Sequence, residues 1–183
     1  AQVLWINMVT SSALSLALAA EPAEPGLMRR APRDPREALL SGFFVWRVVM
    51  VSVLMMVGAL GLFLYELDRG TALETARTMA VNVVVGCEML YLLCSRSLFA
   101  SIFRPGGLLG NRWVVVSIAA CIPLQLLYTY APPMQKLFGS TALSLDEWGL
   151  VIAASSLVLI GSEVEKWALR RFDLHPQARL HLQ

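Results

Sequence analysis

The sequence predicts an all-α fold, a polytopic membrane helix bundle with five transmembrane helices. Three observations lead there. The 183 residues are 57% hydrophobic and only 15% charged, whereas soluble domains run at about 45–50% and about 25%. The apolar residues collect in runs of the roughly 20 residues that a helix needs to cross a bilayer. The runs lack the period-2 alternation of a transmembrane barrel, and helix-breaking residues punctuate the chain between them.

The first span covers about 1–20 and stops at Glu21-Pro22. It carries Asn7, Thr10, Ser11, Ser12 and Ser15 inside an apolar run. Asn7, Thr10 and Ser11 are spaced i, i+3, i+4 and share one helix face. A connector follows at 21–41, with Pro22, Pro25, Pro32 and Pro35. Proline fixes φ and favours extended backbone, so this reads as a solvated linker. The second span, about 42–65, runs out at Leu67-Asp68-Arg69-Gly70. The third, about 77–95, is followed by Arg104-Pro105-Gly106-Gly107. The fourth, about 113–131, stops at Ala131-Pro132-Pro133, and the fifth is placed at about 148–167. Helical spans satisfy their own backbone, as lipid demands.

The net charge of +2 gives no basis for a nucleic-acid partner, and the placement of the charges says more. Arg29, Arg30, Arg33, Arg36, Arg96, Arg104, Arg112, Lys166, Arg170, Arg171 and Arg179 fall on one side of the alternating spans. Arg69, Arg77 and Lys136 fall on the other. The positive-inside rule then puts the C-terminus in the cytoplasm. Arg47 lies about one turn inside the second span and is expected to snorkel to the interface. Trp5, Trp46, Trp113, Trp148 and Trp167 all lie near segment ends, where interfacial anchors belong. The chain begins with Ala1, almost inside a span and on the outer side. The expectation is a fragment of a larger protein.

Cys87, Cys94 and Cys121 all sit in apolar runs without a nearby His, and read as packing residues rather than disulfides or metal ligands. Asn82 and Glu88 stand inside the third span, where an acidic group costs about 2.5–3.5 kcal/mol and so usually faces the bundle and serves a function. Hydroxyls and amides are less telling, because they also bond across packed helices; Asn82 reads that way. Glu163 and Glu165 adjoin Lys166 and read as locally paired or snorkelling. Ser11 lies ten residues before Glu21, and Glu88 eight before Arg96. At ~1.5 Å rise per residue both sit about 12–15 Å from the same boundary. They can therefore meet near the midplane.

The run "LWINMVT...LALAAEPAEPGLMRRAPR" resembles the sixth membrane helix of P-type cation-transporting ATPases, the calcium-pump-like branch most closely. "RTMAVNVVVGCEML" is similar to helix eight of that family. "NRWVVVSIAACIPLQLLYTYAPPMQKLFGSTALSLDEW" is similar to helix nine with its outer loop, and "IGSEVEKWALRRF" to the end of helix ten. The resemblance implies that residues 1–183 are the C-terminal transmembrane domain, helices six to ten, of an ATP-driven pump in a plasma (inner) membrane. It implies a cation site including Asn7, Thr10, Ser11 and Glu88, the same residues being the candidate metal ligands. Where the calcium pumps carry Asp, this chain has Ser11, which puts calcium in doubt. Calcium takes 6–8 oxygens, carboxylates among them. A site with fewer negative charges suits a monovalent ion, a proton-coupled scheme or a substrate that the sequence does not identify. The implied partners are the transported cation, the lipid bilayer, and the N-terminal helices and cytoplasmic domains of the same pump. ATP and Mg belong to the full-length enzyme. This stretch holds no D-K-T-G motif and no phosphate-cradling loop, so alone it is expected to be inactive and to bind no cofactor. The competing expectation is a non-enzymatic helical scaffold or a passive permease.

Overall fold

In the computed structural model, residues 2–9, 42–95 and 112–171 are described, and every regular element among them is helical. Residues 2–9 are helical and are labelled α1. They are followed by α2 (Gly42–Asp68), α3 (Leu73–Ser95), α4 (Arg112–Tyr130), α5 (Pro132–Phe138) and α6 (Leu145–Arg171). Helices α2, α3 and α6 are each long and apolar enough to cross a membrane. At ~1.5 Å per residue they run to about 35–40 Å, longer than a hydrocarbon core of about 30 Å. The fourth expected span, about 113–131, corresponds to α4, which meets the same length and apolarity only together with α5, from which it is bent by 76°. The cause of the bend is local. Pro132 and Pro133 cannot donate backbone hydrogen bonds, and the residue before a proline avoids helical backbone; Ala131 has φ −76° and ψ 125°. Of the first expected span only 2–9 is described, so Thr10, Ser11 and the 21–41 connector lie outside the described residues.

Helix α3 is the centre of the bundle, flanked by α2 and α6, which also touch each other; α4 leans on it more lightly. The core of this triad is Val51, Leu62, Met79, Val83, Cys87, Val151 and Val158. The helices approach closely because small residues stand at the crossings, as is common in membrane bundles. A Cβ on Gly58 would come within 3.2 Å of the Ala154 carbonyl oxygen, and one on Gly86 within 2.5 Å of Ser155 Oγ. Ser155 Oγ donates to the Val151 carbonyl at 2.8 Å and reaches the Val83 carbonyl on α3 at 3.3 Å. Outside the core, α2 is apolar all round, with Val45, Val49, Val53, Met56 and Leu60 exposed. Such a helix belongs in lipid.

Two turns close the triad at the Asp68 end of α2. Gly70 adopts φ 79°, a left-handed conformation natural to glycine, and Thr71 Oγ1 donates to the buried Glu66 carboxylate at 2.7 Å. Between α5 and α6, Gly139 caps α5 at φ 65°. Ser144 and Glu147 then form a capping box at the start of α6. The Ser144 N–H donates to Glu147 Oε2 at 2.6 Å, and the Glu147 N–H donates to Ser144 Oγ at 3.3 Å.

Two expectations need correction. Arg47 does not snorkel: it is 2% exposed, with Nε 3.6 Å from Glu165 Oε2 on α6. A buried guanidinium needs a countercharge, and Glu165 on another helix supplies one. Trp5 is 4% exposed and packed inside, whereas Trp46 and Trp167 are 60% and 58% exposed, as membrane anchors require. Lys166 pairs locally with Glu163 at 3.1 Å. The three cysteines are buried with free thiols.

Candidate functional site

The described part of α1 is held by aromatic packing. Trp5 stacks on Tyr128 of α4 with ring centroids 5.6 Å apart and planes 19° apart, and its other neighbour is Phe138 of α5, at 5.4 Å. Trp5 and Val9 share a buried cluster with Val81 of α3 and Cys121 and Tyr128 of α4. These positions are four apart, so they occupy one helix face. At its start, Gln2 Nε2 donates to the Phe138 carbonyl at 3.1 Å.

Asn7 sits two residues beyond Trp5, about 200° further round the helix. Its side chain is exposed and points away from the face that meets α3 and α4. Glu88 is half-buried in α3, within electrostatic range of Cys121 on α4. Cys121 is thus a common neighbour: its side chain packs in the α1 cluster and lies in the field of Glu88. The structure brings α1 and α3 together at Val81 but turns the Asn7 amide to the other side of α1. Among the described residues no three His, Cys, Asp or Glu side chains gather to hold a metal.

One polar feature was not singled out from the sequence. Gln125, in the apolar run "IPLQLLY" of α4, is 4% exposed and bonded on both sides. Its Oε1 accepts the Trp5 indole N–H at 3.3 Å, and its Nε2 donates to Asn82 Oδ1 at 3.1 Å. Asn82, 3% exposed, donates in turn to the Thr78 carbonyl at 2.8 Å and to Thr129 Oγ1 at 3.3 Å. A lone amide within an apolar helix carried the signal, since a buried amide in lipid must find partners. Its partners, on two other helices, were not legible.

Beside this network a crevice of about 550 Å³ opens between α3, α4 and α6. Its wall is largely aliphatic, including Met89, Ile118, Ile122, Val151 and Ile152. Trp148 Nε1 donates to Tyr130 Oη at 2.8 Å at its edge, and Tyr130 donates to the Leu143 carbonyl at 2.7 Å.

The family profile described as "Cation transporting ATPase, C-terminus" matches residues 1–168. Among curated proteins, the "Probable cation-transporting ATPase F" of Mycobacterium tuberculosis is 42% identical over 159 residues, covering 87% of this chain and 18% of that protein. The "Calcium-transporting ATPase 1" of Bacillus cereus is 29% identical over 182 residues, covering 91% of this chain and 20% of that protein. The human "Calcium-transporting ATPase type 2C member 1" is 30% identical over 165 residues, with 90% and 18% covered. The chain spans about a fifth of the length of the curated relatives it matches.

Proposed function

Because this chain belongs to the C-terminal family of cation-transporting ATPases, we propose that it is the ion-translocating membrane part of an ATP-driven P-type cation pump. It corresponds to helices six to ten of that pump and supplies part of its intramembrane cation site. The observation that carries the reading is Glu88, an ionisable side chain half-buried within a membrane-length helix. A carboxylate at that depth is expensive to keep and is usually retained for transport.

Asn7, Thr10, Ser11 and Glu88 are the proposed cation-binding residues. The exposed face of α1 that carries Asn7 supports a shared site completed by helices of the pump beyond this chain. Ser11 in place of a carboxylate favours a site of low negative charge, suited to a monovalent ion or to a proton-coupled exchange. The distribution of Lys and Arg supports a cytoplasmic C-terminus in a plasma (inner) membrane. ATP, Mg and the phosphorylated Asp act in the cytoplasmic domains, and the site described above couples to them through the membrane helices.

The test is cation-stimulated ATP hydrolysis by the full-length pump in membrane vesicles. Glu88→Gln keeps the shape of the side chain and removes its charge. The half-saturating cation concentration is expected to rise about tenfold or more, the loss of a charged contact of about 1.5–3 kcal/mol. Unchanged cation dependence would remove Glu88 from the site.

A further inference from the structure

We propose that Gln125 is a positioning residue for the cation site: its side-chain amide sets the rotation and height of α1 against α3. This rests on the reading above, in which those two helices carry the cation ligands. The argument starts from donor and acceptor chemistry. An indole N–H can only donate, so the Gln125 oxygen must face Trp5 and its NH₂ must face Asn82, as observed. Asn82 Oδ1 is then an acceptor, and its NH₂ must find acceptors, which are the Thr78 carbonyl and Thr129 Oγ1. Thr129 Oγ1 passes its own proton to the Gln125 carbonyl at 2.9 Å. The chain from Trp5 to Thr78 thus has one sense, and neither amide can flip alone without setting donor against donor.

That polarity does what ring stacking cannot. The contacts of Trp5 with Tyr128 and Phe138 bury area but tolerate sliding, because apolar burial is non-directional. A hydrogen bond to a buried amide tolerates little, since a lost partner leaves a buried polar group unsatisfied. Trp5 is two residues from Asn7, and Asn82 is six before Glu88 on the same helix. One side chain on α4 therefore registers both ligand-bearing helices without reaching the cation. The Trp5 bond, at 3.3 Å, is longer than the Gln125–Asn82 bond.

The experiment uses the full-length pump in vesicles, with ATP hydrolysis titrated by calcium, manganese, sodium and potassium in turn. Gln125→Leu removes both bonds, and Trp5→Phe removes only the donor while keeping a ring for the stack. Each is expected to raise the half-saturating concentration of the stimulating cation about tenfold, the equivalent of about one hydrogen bond. This factor should exceed any fall in maximal rate. The double variant is expected to be no worse than Gln125→Leu, the non-additivity of a shared contact. A purely structural role would lower yield or thermal stability and leave cation dependence in place. If Gln125→Leu does not fold, Trp5→Phe carries the test. Unchanged cation dependence in the folded variants, with Glu88→Gln shifted, overturns the positioning role and leaves the proposed function standing. An unshifted Glu88→Gln removes both together.

Discussion

Arg47 Nε lies 3.6 Å from Glu165 Oε2, and the two side chains are 2% and 7% exposed. The pair ties the beginning of α2 to the last turns of α6. Burying both charges is expensive, and removing one member of a buried pair typically costs about 3–5 kcal/mol. Arg47→Ala or Glu165→Ala is therefore expected to lower the apparent Tm of the detergent-solubilised protein by several degrees or abolish its yield. Arg47→Met combined with Glu165→Leu is expected to recover most of the loss, because a buried ion pair is often no better than packed apolar residues. Fluorescence-detected thermal unfolding checks both.

Gly86 meets Ser155 where α3 and α6 cross. An added Cβ would sit 2.5 Å from Ser155 Oγ and 3.1 Å from its Cβ, and the hydroxyl is held by the Val151 carbonyl. Gly86→Ala is expected to cost about 1–3 kcal/mol by overpacking, with Ser155→Ala in the same chain recovering part of it. Thermal stability of the single and double variants decides this.

At the start of α6, Ser144 and Glu147 satisfy each other's backbone donors. Ser144→Ala is expected to cost about 0.5–2 kcal/mol, the usual value of an N-cap. Faster hydrogen exchange should appear in the first turn of α6 and not in its middle.

Ser11→Asp would add a carboxylate to the proposed cation site. In transport assays on the full-length pump, the preference is expected to move toward divalent ions, which need more anionic oxygen than monovalent ones. An unaltered ion profile would place Ser11 outside the site.

The helices were legible because lipid imposes length, and prolines and glycines mark where that length ends. Their exact bounds were less so. The third span was expected from 77 and the helix begins at Leu73, since Glu74 in the first turn suits the helix dipole while lowering local hydropathy. The fifth was expected to end at 167 and the helix continues to Arg171, because a helix can outlast the bilayer. Hydropathy reads where the lipid is, and backbone bonding decides where the helix is. The Glu163–Lys166 pairing lies within one turn and was readable. The partners of Arg47 and Gln125 were not, because they come from distant parts of the chain and depend on how the helices turn. Trp5 looked like an interfacial anchor for the same reason, since sequence position gives depth but not direction.

The triad of α2, α3 and α6 is pinned at two heights: by Arg47 and Glu165 near one end and, at adjacent residues of α6, by Gly86 against Ser155 and Gly58 against the Ala154 backbone. Packed helices deform by shearing past one another, and the close approach at Ala154 and Ser155 together with the Arg47–Glu165 pair opposes slip among these three. The triad is therefore an anvil. In the proposed pump, a transport stroke is expected to fall on the lighter contact between α3 and α4, where Asn82 meets Gln125 and Thr129 beside a small cluster of Leu92 and Val114.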